Sequence, residues 1–567
     1  MAWFYVHGRK KRCFIVKNYR ISLVEPFLRQ VFMLRFRSVI ETWSLRFQTF
    51  PFWSLHMKKN VFALSVAVAL AGLAGAANAQ EVPFLEGNTV TASDADSFVV
   101  NPDGIGHIQL VPYYSTQGSR NTLLNIINTD SDEGKVVKVR FRGARNSDDV
   151  FDFYVFLSPG DVWRARVYRD GETTKLESAD NSCTWPLNFA ADGGSAFQTS
   201  RVFNNLQTEV REGYIEILTA ADIPKNADKD SLYTAIKHVK GVAPCTEAVI
   251  EASMQPLTTP PAALAAGFAN PSTGLIAQWA ISDVETKATT SGVATALLAV
   301  KGVGKTPALG NIVVAPQTND AAPATWSAPA GAAIGTADPL FTFDTRDTSY
   351  FDYPDLSTPY LGNIAPAAQA NAVSSALAVT EVINEFATVD ADLQTDWVFS
   401  LPTRRYGVTI DYTGGANGRP IARVNGDSEY FGGLTQAALD TTGAAPAIVI
   451  NVETKLFDDE ENTASSSAIV SPGTPVRSSI RGEVNVFSFN KAPEDSLLGA
   501  VIAAQNMKTT IGSNVVKSGW ATVGLKEQGT VTAGNNTGLP VIGYATVGSA
   551  GNAMSFTWPH RYNRAVK

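Results

Sequence analysis

Five short segments follow one another between residues 107 and 169: HIQLVPYYST (107–116), NTLLNIINT (121–129), KVVKVRFRG (135–143), VFDFYVFL (150–157) and DVWRARVYR (161–169). Each is rich in β-branched and aromatic residues and is bounded by Gly, Asp, Asn or Pro, the pattern of an antiparallel β-sandwich. In the third, Val137, Val139 and Phe141 point one way, while Lys138, Arg140 and Arg142 point the other. One face is therefore expected in a core and the other forms a cationic ladder, which Arg145, Arg164, Arg166 and Arg169 extend. Two uses of the ladder stand open: a solvated face partly paired with Asp148, Asp149 and Asp152, or a contact for an acidic neighbour or membrane phosphate groups. The interface candidates are Lys138, Arg140, Arg142, Arg164 and Arg166. Pro159 and Gly160 in the 158–161 step suit a type II turn and predict a hairpin between the fourth and fifth segments.

Further strands are expected at 211–218, 274–282, 293–300, 395–405, 447–457, 482–489, 519–525 and 539–547. In IVINVETKLF, Ile448, Ile450, Val452 and Leu456 face inward and Asn451, Glu453 and Lys455 outward. Val373, Ala376, Leu377, Ile383 and Phe386 recur at helical spacing and predict one helix over about 367–386. The Pro- and Ala-rich stretch 255–267 reads as a linker, although a loop inside one larger unit has the same composition. A second stretch, 307–339, reads as a long surface loop. The chain is thus expected to be mainly β, with immunoglobulin-like antiparallel sandwich units, a few short helices and long loops. An N-terminal sandwich over 80–256 and a β-rich part over 257–567, of one or two sandwich units, are the expected domains. No fixed-period repeat points to a solenoid or propeller.

Residues 57–80, MKKNVFALSVAVALAGLAGAANAQ, have a basic start, an apolar run and small residues at Ala77 and Ala79, the three parts of a secretory signal peptide over 57–79. Export through an inner membrane is expected, with no transmembrane segment in the mature chain. Residues 1–56, basic and aromatic without strand or helix signals, are expected to be an unstructured extension from a start codon called too far upstream. From Gln80 on, 34 Lys/Arg stand against 51 Asp/Glu, a net charge of −17. That balance argues against nucleic acid and leaves divalent cations as counter-charges. In an exported chain Cys183 and Cys245 are expected to pair; closing that loop stabilises a fold by about 4 kcal/mol in the chain-entropy model.

Catalytic signals are sparse. His107, His238 and His560, the histidines after residue 80, lack ligand spacing for a transition metal. There is no Gly-x-Ser-x-Gly elbow. Gly302-Val303-Gly304-Lys305-Thr306 lacks the earlier Gly of a phosphate loop, since Ala299 stands in its place. Calcium is the remaining cofactor candidate. Asp130, Asp132 and Glu133 before Gly134 put oxygen ligands on a tight loop, as do residues 458–461, though neither fits the EF-hand pattern and solvated acidic turns look the same. No enzyme is expected.

The 57–80 leader, HIQLVPYYST, NTLLNIINT, the 135–163 stretch KVVKVRFRGARNSDDVFDFYVFLSPGDVW, TDWVFSLPTRR and GEVNVFSF together resemble exported surface-layer (S-layer) proteins of Gram-negative betaproteobacteria. The resemblance covers most of the chain after the leader, and its motifs are structural. It implies a protein of which many copies assemble into a sheet over the outer membrane, often with calcium; lipopolysaccharide is a further expected partner, its phosphates for the basic residues. The alternative is a monomeric exported adhesin or carbohydrate-binding surface protein, at the surface, in the periplasm or secreted.

Overall fold

The alternating segments all become strands in a computed structural model. It describes residues 95–564 except 188–192, 255–259, 313–365, 389–392, 413–414, 427, 461, 463–476, 490–495, 508, 512–513, 526–537 and 550–554. The expected extension, the signal peptide and most of the 307–339 loop lie outside the described residues. The protein is mainly β, and almost all strand pairs are antiparallel. Among the described residues no helix is long and apolar enough to cross a membrane.

In the first sandwich the strands are Ser97–Asn101 (β1), Ile108–Ser115 (β2), Arg120–Asn128 (β3), Gly134–Gly143 (β4), Asp149–Leu157 (β5), Val162–Asp170 (β6), Thr173–Glu177 (β7), Cys183–Trp185 (β8), Ser195–Ala196 (β9), Glu212–Ile223 (β10), Leu275–Asp283 (β11), Thr289–Val293 (β12), Thr295–Lys301 (β13) and Thr306–Pro307 (β14). They form two sheets, in the orders β1-β13-β2-β10-β4-β5-β8, with β14 on β13, and β12-β11-β3-β6-β7-β9. Val137, Val139, Phe141, Ile215 and Ile217 of the first sheet share a buried core with Leu124, Ile126, Trp163, Ala165 and Trp279 of the second. Phe141, Phe151 and Phe197 pack ring on ring within it.

Two sequence expectations need correction here. The 158–161 turn forms, with Gly160 at φ 71° and the Asp161 amide donating to the Ser158 carbonyl at 3.1 Å. Yet β5 and β6 lie in opposite sheets, so the turn is a crossover between layers and not a hairpin. The expected domain boundary at 256/257 also fails, because β11 pairs with β3 and β13 pairs with both β1 and β2. The Pro/Ala-rich stretch folds in part as helix Pro260–Ala265, whose Ala263 is buried, and it is a connection inside one unit.

The second sandwich starts after helix Pro366–Leu377. That helix is shorter than expected: beyond Leu377 the side chains alternate, Val382 and Phe386 turn inward, and Glu381–Ala387 is a strand. One sheet contains Glu381–Ala387, Ala447–Asp458 and Ser518–Gly524; the other contains Leu393–Ser400, Val484–Phe489 and Ile542–Ser549. Phe386, Trp397, Phe399, Phe487 and Phe489 fill the space between them. The reverse side of the second sheet is also apolar. Val398, Val484, Val486 and Tyr544 belong to the core of the first sandwich, and Tyr544 lies 4.7 Å from Trp279. The two sandwiches are one body with a continuous interior.

Candidate functional site

Strand alternation sends Lys138, Arg140 and Arg142 to the side of β4 away from the first core, as the sequence predicts. That side is not a surface. All three side chains are at most 1 % exposed, so the expected cationic ladder is inside the molecule. The reason is the number of layers: the sheet is covered on this side too. Helix Pro366–Leu377 packs over β1, and Ile236, Ile250 and Ala263 cover Val136 and Phe156. Between these apolar patches lies a band of charge.

Neighbouring strands supply the counter-charges at matching positions. In register, Arg140 faces Asp152 on β5 and Glu216 on β10. Arg142 Nε donates to Glu216 at 3.1 Å, Lys138 Nζ lies 3.0 Å from Asp152, and Arg140 lies 3.6 Å from Asp149 and 3.7 Å from Glu216. The Tyr214 hydroxyl donates to the Pro402 carbonyl at 3.2 Å and lies 3.4 Å from Glu216. Lys138 sits over the Tyr154 ring, 4.9 Å from its centroid. Burial outweighs the ion pairs: it pushes Lys138 down and Asp152 up from their ordinary values.

The band continues into the second sandwich through residues that sequence reasoning did not single out. Arg404 lies 3.3 Å from Glu483, both fully buried, and donates to the Arg145 carbonyl. Burial pushes the Glu483 carboxyl up to about 7 against the pull of Arg404 and Arg405. Arg405 donates to Asp148 at 2.9 Å and to the Asn146 carbonyl at 2.8 Å, and the Tyr412 hydroxyl donates to Asp148 at 2.7 Å. Asn146 exchanges two hydrogen bonds with the Ile410 backbone. Arg145 grips Glu209 with two bonds of 2.7 and 2.8 Å. The 144–148 turn between β4 and β5 is thus clasped by the second sandwich. Arg404 and Arg405 lie in a short 3-10 turn after strand Leu393–Ser400 and Glu483 just precedes strand Val484–Phe489, so strand alternation did not single them out.

A second clasp centres on Glu212, fully buried on β10. Its carboxylate accepts from the amides of Val501, Ile502 and Ala503 at 2.7 to 3.1 Å and from Gln117 at 2.6 Å. Asp396 accepts from Ser488, Ser496 and the Leu498 amide and fixes the start of the same loop.

The other sequence candidates separate. Arg164 and Arg166 lie on the outward side of β6, opposite to Trp163, Ala165 and Val167; Arg164 is exposed and Arg166 pairs with Glu177. Cys183 and Cys245 are bonded, tying β8 to the segment before helix Glu247–Met254. Asp130 uses one oxygen to accept from the Asp132 and Glu133 amides, Asp132 points toward Lys225, and Glu133 leans on Asp222. These three carboxylates do not converge, and no metal-binding group occurs among the described residues. His107 and His560 are buried in different cores, and His238 lies beside Asp161. Residues 302–305 form the turn joining β13 to β14.

The chemistry on view is cohesion. Charges removed from water are stable only with partners in fixed geometry, which specifies one relative placement of the elements that supply them. No family model, curated protein or solved structure matches the chain.

Proposed function

We propose that the protein is an exported structural protein of a bacterial surface, and that copies of it assemble side by side over the outer membrane. A tile in a sheet transmits force through its own body, and two sandwiches riveted by buried ions and a common core suit that task. The observation that carries the reading is the outward face of the six-stranded sheet. There Leu123, Ile127 and Ile276 lie half-buried beside Asn125, Gln278, Arg164 and Arg166. An apolar centre with arginines beside it is the make-up of a protein interface. On a chain with a net charge of −17 after the leader, those arginines favour an acidic neighbour, for which a second copy qualifies. Lipopolysaccharide phosphates offer the same arginines an anchor, and calcium would relieve repulsion between acidic copies.

Electron microscopy of the purified mature protein, with and without calcium, tests this directly. Ordered sheets are expected in the wild type and not in the Arg164→Glu/Arg166→Glu variant. Single particles at high concentration in every divalent salt would contradict the proposal.

One observation favours a monomeric carbohydrate-binding surface protein instead. Trp520, 42 % exposed, stacks on Phe457 at 4.0 Å, and its cross-strand neighbour Glu385 accepts from Trp558. Exposed aromatic rings beside carboxylates suit sugar rings. Retention on immobilised glycans, lost in Trp520→Ala, would support that alternative.

A further inference from the structure

The Lys138–Asp152 pair has the makings of a covalent bond. Nζ lies 3.0 Å from Oδ2, and both side chains are at most 1 % exposed. The residues sit on hydrogen-bonded strands one register step apart, since Lys138 faces Tyr154 and Arg140 faces Asp152, so the long lysine side chain reaches diagonally to the shorter aspartate. The Tyr154 ring lies under the ammonium. A nucleophile and an electrophile held in contact in a water-poor site react as an intramolecular pair, with the cost of bringing them together already met by folding. Burial shifts both groups toward their uncharged forms, amine and carboxylic acid, which are the forms that condense. A second carboxylate stands by: the charge of Asp149 acts on both partners, and Asp149 is held by Arg140 and Arg201 at 3.6 Å each.

We propose that Lys138 and Asp152 are joined by an intramolecular isopeptide bond formed without an external enzyme. The neutral Nζ adds to the Asp152 carboxyl carbon, forming the N–C bond. Asp149 takes a proton from the nitrogen and returns it to a carboxyl oxygen, whose bond to carbon breaks as water departs. Arg140 and Arg201 lie near enough to Asp152 to stabilise the negative oxygen of the intermediate. No atom changes oxidation state and no co-reactant is needed. The product is a cross-link between β4 and β5 in the centre of the charged band, beside the turn that the second sandwich clasps.

Mass spectrometry of the reduced, denatured wild-type protein tests it without any variant. The expected mass falls below that of the sequence by one water. Trypsin should release residues 136–140, uncut at Lys138, attached to residues 146–164. Lys138→Arg should have the full mass. In Asp149→Asn, freshly purified protein should also keep the full mass; loss of water to the wild-type extent there would overturn Asp149 as the proton carrier. Wild-type protein of full mass that yields the free peptide 136–138 would overturn the cross-link itself.

Discussion

At the scale of single residues, the buried carboxylates divide by what holds them. Glu212 stands opposite the backbone amides of Val501, Ile502 and Ala503, so an amide side chain in its place sets a donor against a donor. Glu212→Gln is expected to cost about 2 kcal/mol, the range for a buried polar group left unsatisfied. Hydrogen exchange should quicken at the 501–503 amides and not in β4. Glu483 behaves differently, because burial raises its folded value from 4.5 to about 7. The folded state then holds a proton there that the unfolded state has lost. Its contribution to stability is present below about pH 4.5, falls as pH rises, and is gone above about pH 7. Urea titrations from pH 4.5 to 8 should show the wild type losing stability relative to Glu483→Gln by a few kcal/mol, at about 1.4 kcal/mol for each pH step between those two values. Parallel curves for the two proteins would contradict that assignment.

At the scale of elements, what could be read from the sequence was whatever depends on one strand and its turns. The five opening segments and the inward face of 447–458 follow from alternation and turn residues, and the Cys183–Cys245 pair was expected from the even cysteine count. Burial of the opposite face did not follow, since KVVKVRFR reads the same with water or with Arg404 and Glu483 above it. Pairing was half legible: Asp149 and Asp152 were recognised as partners, whereas Glu216, 76 residues beyond Arg140 in sequence, joins them only through the β10–β4 register. Helix Pro366–Leu377 ends where the apolar spacing changes from helical to alternating; Ile383 and Phe386, three residues apart, fit the helical period but lie on opposite faces of the strand. Strand placement also hangs on close backbone approach at Gly213. A Cβ there would meet the Arg142 carbonyl at 1.7 Å, at the register shift where β10 bends between β2 and β4. Gly213→Ala cannot be accommodated by a side-chain move, and it should lower stability by about 3 kcal/mol or more, read as a fall in the urea midpoint.

At the scale of the whole molecule, two sandwiches form one stiff body, riveted by the Arg404–Arg145, Arg405–Asp148 and Glu212 clasps over an apolar interior that includes Val398, Val486 and Tyr544. Separate domains joined by a linker would have had a wet boundary between them, one of the two readings that the Pro/Ala-rich 255–267 stretch left open. Instead that stretch lies inside the first unit, and the seam is lined by buried charge. A tile role depends on this stiffness, because a hinge between halves would absorb strain that a sheet must pass on. The most direct test is equilibrium urea unfolding followed by two local probes, hydrogen exchange in β4 for the first sandwich and in strand Leu393–Ser400 for the second. One coincident transition for both strands is the predicted result. Two separated transitions, one sandwich melting while the other keeps its protection, would contradict the claim.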